Sequence, residues 1–377
     1  MIVTSDIQWL DKAAAHLPHL QATTRDNPPV VCIIVDGSGN VSAVGKTHAV
    51  GWERPLIHAE ADALTQAGEK ARGATAYVTL EPCAKRRAGG TACAALLSEA
   101  GVKRVVIGAG DPHPNANGAG IEMLRQAEIE VTVLNHARSM TFYNTDFVYR
   151  LSHTKPYIIV KQAISADRYV GCRERGAVPI TGKKTNVWAH ENLRSRVNAI
   201  MVGAGTILAD NPQLSVRHSD GARPDLLRIV MGKKPSRFLE AFHIADESLP
   251  TVFFSDKAAG EVSPLTASET IWEIGAGNSD APLLNIGYIF EMLADSKVMH
   301  HINHFPINRL LIEGGPRVLE SAFATGYINE YYEIRSPGSI GAHCNEPVGA
   351  FQPNLGAFSK EVLDFDSEDT ITCYKRT

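Results

Sequence analysis

Four residues in the first quarter of the chain have the types and spacing of a hydrolytic metal site: His58, Glu60, Cys83 and Cys93. A catalytic zinc takes three protein ligands from imidazole and thiolate and keeps its fourth position for water. His58, Cys83 and Cys93 supply that set. Zinc lowers the pKa of its bound water towards neutrality, so hydroxide becomes available to attack an amidine carbon. Protons must then travel from that water to a departing amine. Glu60 is placed to carry them without being a ligand. Each residue alone says little. A lone Cys is usually a small buried hydrophobe, which is the reading for Cys32, Cys172, Cys344 and Cys373.

The elements that must hold these residues follow from the apolar pattern. Val31 to Val35 reads as a buried strand, Asp36 to Asn40 as a turn, and Val41 to Val44 as its hairpin partner. Helices are expected over Ala59–Ala71, Ala94–Ala100 and Ile121–Ala127, and strands over Ala76–Leu80, Val102–Ile107 and Ile129–Leu134. His58-Ala59-Glu60 therefore opens a helix after the turn-rich Gly51 to Pro55. Glu81-Pro82-Cys83 follows a strand, and Cys93 starts the next helix, where the N-terminus favours a thiolate. Such alternation predicts an α/β layer with a largely parallel sheet. A polar stretch from about 135 to 155 is expected to be a connecting helix and linker. A second α/β unit begins at Pro156, with strands at Tyr157–Ala163, Ala199–Val202, Leu227–Met231, Thr251–Phe254 and Leu310–Ile312. Helices are expected there at Lys184–Arg196, Gly287–Leu293 and Val318–Thr325. The chain divides into domains at 1–148 and 156–377.

Composition narrows the class. The 377 residues carry 37 Lys and Arg against 41 Asp and Glu, a net charge of −4, and 44% are hydrophobic. An acidic balance speaks against a nucleic-acid partner bound through phosphates. No apolar run reaches the ~18 residues of a membrane span, and the first residues lack a signal-peptide pattern, so no membrane role is expected. Six scattered cysteines are too few for a disulfide scaffold, and a reduced, cytoplasmic location is expected.

H-x-E followed by P-C and a second Cys is the pattern of zinc-dependent nucleobase deaminases. The common motif has two residues between the cysteines; here Ala84 to Ala92 intervene. The chain resembles, over nearly its whole length, the bifunctional deaminase/reductase family of riboflavin biosynthesis, whose members have a longer loop at that point. The supporting stretches include Asn27-Pro28-Pro29-Val30, His48-Ala49-Val50-Gly51, Ala74 to Cys83, Asp111-Pro112-His113-Pro114, Ser165-Ala166-Asp167, Gly203 to Arg217 and Glu313-Gly314-Gly315-Pro316. The resemblance implies a cytidine-deaminase-like three-layer domain followed by a dihydrofolate-reductase-like α/β domain. It implies Zn2+ and NADPH as cofactors, and a small-molecule pyrimidine ribosyl phosphate that is deaminated and then reduced from ribosyl to ribityl. Asn27, His48, Asp111 and Asn117 correspond to deaminase substrate positions. Lys161, Arg194, Asp210, Arg217 and Glu313 correspond to reductase substrate positions, and Thr181, Gly203, Thr206, Gly314 and Gly315 to the NADPH side. A homo-oligomer, a dimer through the reductase domain, is also implied.

The residues of the second site, read without the resemblance, leave alternatives open. Gly203-Ala204-Gly205 follows a strand, but Leu208 occupies the third glycine position of G-x-G-x-x-G, and a tight turn without ligand has the same residues. Arg217 suits a phosphate or an ion pair with Asp210. Several positions depart from the family. Val31, Arg168 and Gly232 stand where it has Gly, Gly and Asp, Pro179 stands for a Trp, and the inter-cysteine loop carries Lys85-Arg86-Arg87. The basic run suits an anionic phosphate or a solvated loop. Arg168 and Pro179 favour an alternative: a divergent paralogue that deaminates a related substrate and binds a ligand in its second domain without reducing it.

Overall fold

Five consecutive apolar residues form β1 (Val31–Val35), and all five are buried, which requires cover on both faces of their sheet. The computed structural model describes residues 4–21, 24, 27–48, 56–86, 89–113, 116–145, 149, 153–217, 226–232, 235–277 and 284–377. It divides into two units, Met1–His153 and Thr154–Thr377.

In the first unit the sheet order is β2 (Val41–Lys46), β1, β3 (Thr75–Val78), β4 (Arg104–Ile107) and β5 (Glu130–Val133). The strands β3, β4 and β5 are parallel, but β1 runs antiparallel to both β2 and β3. The sheet is mixed rather than largely parallel, because the short Asp36–Asn40 turn makes β1 and β2 a hairpin. Side chains alternate across the sheet. Cys32 and Ile34 pack with Ala59 and Ala63 of α2 (Ala59–Ala67), Leu97 of α3 (Cys93–Glu99) and Leu124 of α4 (Ala119–Gln126). Val31, Ile33 and Val35 face Leu10 and Ala13 of α1 (Thr4–Ala14) and Tyr143 of α5 (Ala137–Thr145). Helix, sheet and helix make the three expected layers. The helix α2 lies tight against β2: a Cβ on Gly45 would sit 2.1 Å from the Ala59 carbonyl oxygen. That contact sets the depth at which α2 begins.

The second unit has a ten-stranded sheet, ordered β11 (Val262–Pro264), β12 (Ile271–Gly277), β10 (Thr251–Ala258), β9 (Leu227–Met231), β8 (Ala199–Gly203), β13 (Arg309–Ile312), β6 (Tyr157–Ile164), β14 (Ile328–Arg335), β17 (Thr370–Arg376) and β16 (Phe358–Leu363). From β12 to β14 every pairing is parallel, and the outer strands β11, β17 and β16 pair antiparallel. Ile158, Met201, Ile229, Phe254 and Leu310 bury one face against Ile289 and Phe290 of α8 (Ile286–Ala294) and Leu319 of α10 (Pro316–Ala324). A small second sheet pairs β7 (Tyr169–Cys172) with β15 (Pro347–Gly349).

One expectation is corrected here. Cys172 and Cys344, expected to be separate buried hydrophobes, are joined as a disulfide with their Cα atoms 6.0 Å apart. Pairing of β7 with β15 brings together two residues that lie 172 apart in sequence, which no spacing rule anticipates.

Candidate active sites

In the first unit three donors converge. His58 caps α2 with extended backbone, so its ring turns away from the helix. Its Nδ1 lies 3.7 Å from Cys83 Sγ and 3.3 Å from Cys93 Sγ, and all three donor atoms fall within 4.8 Å of one another. A tetrahedral zinc with bonds of about 2.3 Å to sulfur and about 2.0 Å to nitrogen needs N···S edges of about 3.5 Å. The donor set fits zinc. Cys83 follows β3, Cys93 opens α3, and the Cys93 backbone N–H donates to Cys83 Sγ at 3.4 Å. The Cys83 thiol is lowered to about 4, first by the Cys93 thiol hydrogen bond and then by His58, against the opposing effect of burial.

Glu60, in the first turn of α2, is 3% exposed. Burial raises its pKa, and the His58 charge opposes that rise. A carboxyl shifted towards neutrality can hold and return a proton.

Of the expected deaminase substrate positions, His48 and Asp111 adjoin this triad. His48 forms a bridge with Ile57, the residue before His58, and its Nδ1 contacts the Lys46 carbonyl at 2.9 Å. Asp111 is half-buried, with a pKa raised first by burial and further by Glu81. Asn117 is exposed in the turn before α4, and Asn27 is exposed in a turn whose carbonyl accepts from Thr24 Oγ1. Arg86 donates to the Leu56 carbonyl at 2.7 Å, so part of the basic inter-cysteine loop is tied beside His58. Arg87 and the Gly51–Pro55 turn lie outside the described residues.

One organiser in this unit was quoted in the motif without a role. Glu81 accepts four backbone N–H groups, from Asp111, Gly118, Gly120 and Ile121, at 2.9–3.3 Å. The residue before Pro82 and Cys83 thus also fixes the loop bearing Asp111 and Asn117. Its acidic character in a loop between strand and helix was the available signal.

In the second unit the central pair is Arg194 and Glu313. Arg194 donates from Nε at 3.1 Å and from a terminal nitrogen at 2.6 Å, a bidentate clamp on the Glu313 carboxylate. Lys161 Nζ lies 4.0 Å from the same carboxylate. Burial alone would raise Glu313, but Arg194 and then Lys161 outweigh it and hold it far below the carboxylate range. Glu313 follows β13 and Lys161 sits on β6, so parallel register places both at the carboxyl end of the sheet.

Arg217 contacts Gln213 Oε1 at 3.2 Å and gives its backbone N–H to His190 Nδ1 at 3.0 Å. No ion pair with Asp210 is recorded among the described residues; Asp210, raised by burial, senses Lys161 instead. His190 is the functional candidate that sequence reasoning missed. It is 2% exposed on α6 (Lys183–Asn192), one helical turn before Arg194, with Nε2 within 3.4 Å of both guanidinium groups.

On the expected nucleotide side, Gly315 caps α10, and a Cβ there would lie 4.0 Å from Thr206 Oγ1 of α7 (Ala204–Asp210). Gly203 and Gly314 have a packing reason to be glycine: a Cβ on either would meet Val318 of α10 at 2.8 and 2.6 Å. Gly232 likewise leaves room for Ala204. Thr181 is half-buried just before α6, next to Pro179 and Ile180, which line a cavity of about 130 Å³. Arg168 adopts φ +65°, the left-handed conformation that a glycine would hold without strain, and pairs with Glu333 at 3.8 Å.

Comparison with known proteins agrees with both halves. Residues 4–109 match the cytidine and deoxycytidylate deaminase zinc-binding region, and residues 156–355 match the RibD C-terminal domain. The riboflavin biosynthesis protein RibD of Aquifex aeolicus is 31% identical over 380 residues, covering 100% of both chains. That of Escherichia coli is 30% identical, over 85% of this chain and 84% of its own. The structure of Acinetobacter baumannii RibD, form 1, has 26% identity and a TM-score of 0.75, covering 99% of each chain. Matches that run through both domains do not favour the deaminase-only alternative. The chain belongs to the RibD family and is a bifunctional enzyme of riboflavin biosynthesis, a zinc-dependent deaminase joined to an NADPH-dependent reductase.

Proposed function

We propose that His58, Cys83 and Cys93 hold the zinc and that Glu60 is the proton carrier of the deaminase. The donor triangle, with a buried carboxylate two residues after His58, is the observation that carries this reading. Zinc, when bound there, supplies the Lewis acidity that readies water for attack at neutral pH. Glu60 takes a proton at its carboxylate and delivers it to the leaving amine, a transfer its raised pKa favours. Asn27 and His48 hold the pyrimidine, while Asp111, whose backbone N–H bonds to Glu81, and Asn117 border the ribosyl phosphate.

In the reductase, NADPH supplies the hydride. Lys161, Arg194, Asp210, Arg217 and Glu313 bind and orient the ribosyl substrate, with the exposed Arg217 suited to its phosphate. Thr181, Gly203, Thr206, Gly314 and Gly315 border the dinucleotide; the glycines also serve packing against Val318. The substrate is a diaminopyrimidinone ribosyl phosphate, the chain works as a homo-oligomer paired through its reductase domain, and its compartment is the cytoplasm. Family resemblance supports these three statements, and sedimentation would test the second.

The deciding experiment incubates the full chain with the diaminopyrimidinone ribosyl phosphate, with and without NADPH. Ammonia release and NADPH consumption are read separately. Cys93→Ala should lose most of about one bound zinc per chain and its ammonia release. Wild-type zinc content in that variant would remove Cys93 from the ligand set.

A further inference from the structure

Two segments of the second unit face each other across the cavity beside Thr181. Arg175, Pro179 and Ile180 line one wall, and Gly338, Ile340 and His343 the other. The first wall follows Cys172 in sequence and the second precedes Cys344, so the disulfide ties the two walls at one end. At the other end Asp167 accepts the backbone N–H groups of Ile340 and Gly341 at 3.1 and 2.8 Å. Beside the disulfide Glu174 accepts the backbone and side-chain N–H groups of Asn345 at 2.9 and 3.2 Å.

Backbone hydrogen bonds hold the second wall as well: the Ala166 N–H donates to the Gly338 carbonyl at 2.8 Å, the Arg173 N–H to the Glu346 carbonyl at 3.1 Å, and β15 pairs with β7. Most residues from Pro337 to Gly349 are exposed or half-buried, and its hydrogen bonds to Asp167 and Glu174 are exposed. A segment with few apolar contacts and solvent-exposed hydrogen bonds opens at low cost. The covalent link adds to these hydrogen bonds a tie that local opening of the segment cannot break.

We propose that Cys172 and Cys344 form a thiol–disulfide exchange site, taking a low-molecular-weight disulfide as co-reactant, whose oxidation preforms the cavity wall for NADPH. The coupling to NADPH rests on reading this cavity as part of the cofactor side. Cys344 is the exchanging sulfur, because it is half-buried while Cys172 is 4% exposed and sits 3.7 Å from the Glu174 carboxylate, which disfavours a thiolate there. The Cys344 thiolate attacks one sulfur of the co-reactant, R–S–S–R; the S–S bond breaks, and one R–S⁻ leaves. That thiolate takes the Cys172 proton. Cys172 then attacks the Cys344 sulfur of the mixed disulfide and expels the second R–S⁻. Two protein thiols are oxidised and one small disulfide is reduced to two thiols. Excess small thiol reverses each step.

The test uses the full-length zinc-loaded protein, treated with oxidised glutathione or with a reductant. Peptide mapping without reduction reads the link, NADPH titration reads Kd, and ammonia release serves as an internal control in the other domain. The expected result is a Cys172–Cys344 peptide in the oxidised sample and a Kd for NADPH lower by about three- to tenfold than in the reduced one, the usual scale of preordering a few side chains. Cys344→Ser, and separately Cys172→Ser, should show the weaker NADPH binding of reduced wild type under both treatments, with ammonia release unchanged. Absence of the linked peptide, or equal Kd in oxidised and reduced wild type, would overturn the proposal. NADPH failing to bind either form while the linked peptide is present would overturn the cofactor reading of the cavity, and the coupling with it.

Discussion

The two sites are built at different scales of sequence. The deaminase donors lie between His58 and Cys93, on the ends of two consecutive helices and the loop after the strand between them. The reductase cluster spans Lys161 to Glu313 and exists only because β6 and β13 are neighbours in the sheet. Chemistry differs with scale. Zinc needs particular donor atoms, so the residue types announce the site; phosphate and ribose recognition uses Arg, Lys and Glu, which also serve as ordinary ion pairs. The lesson is that a local metal site can be read from spacing, whereas a charge cluster assembled across a sheet cannot.

The largest expected effect separates metal from proton transfer within the first site. Glu60→Gln should keep its zinc and lose ammonia release by roughly 10² to 10⁴, the usual worth of a general acid/base. Metal analysis beside the activity assay checks this. Loss of zinc in Glu60→Gln would make Glu60 a ligand or a structural group. NADPH consumption with the deaminated substrate supplied should stay within a few-fold of wild type, because the two sites belong to separate units and share no residue, and sites without shared partners behave additively.

The same independence should hold in the other direction. Arg194→Ala removes the bidentate partner of the buried Glu313 carboxylate and leaves Lys161, at 4.0 Å, as its nearest described cation. Breaking a buried pair of this kind costs about 3–5 kcal/mol, so the second unit should melt earlier and reduction should fail. Ammonia release should persist at temperatures below that transition. Calorimetry with both activity assays reads the outcome, and a parallel loss of deamination would end the comparison between independent sites.

Acid should sharpen the contrast further. Glu313 has its folded pKa depressed, so its contribution to stability is fully present above the unfolded value of about 4.3 and fades as pH falls below it. Thermal unfolding followed from pH 7 to pH 3 should show the second unit losing stability below about pH 4.5. Glu313→Gln should flatten that slope. An unchanged slope would assign the acid sensitivity to other carboxylates.

The smallest effect concerns a departure from the family. Arg168→Gly removes left-handed strain of roughly 1 kcal/mol and gives up a partly exposed ion pair with Glu333 of little worth. A slightly higher Tm for the second unit is expected by calorimetry. A lower one would show that Arg168 holds β14 more firmly than its 3.8 Å contact suggests.

Legibility followed the same division between local and distant. The strands β1, β3, β4, β6, β8 and β9 and the helices α2, α3 and α8 were visible because runs of buried apolar residues and helical spacing mark them directly. The helix α1 was not drawn, although Leu10, Ala13, Ala14 and Leu17 carry a helical repeat and Thr4-Ser5-Asp6 could start one. The strands β14 and β17 were missed as well. Ile-Asn-Glu-Tyr-Tyr-Glu-Ile-Arg and Thr-Ile-Thr-Cys-Tyr-Lys-Arg mix polar and apolar residues, and pairing with each other and with β6 and β16 makes them sheet.

By itself the sequence determined which residues could form a zinc donor set, with an acidic residue beside them, the order of two α/β domains and the family. These rest on residue type and on separations short enough for one turn or one helix end to fix. Tertiary structure alone decided that Glu313 is clamped by Arg194, that His190 stands between two arginines, that Glu81 gathers four backbone N–H groups, and that Cys172 meets Cys344. Each joins residues separated by a strand crossing or a long loop. Chain entropy leaves such encounters open until the packing of β-sheet and helices selects one.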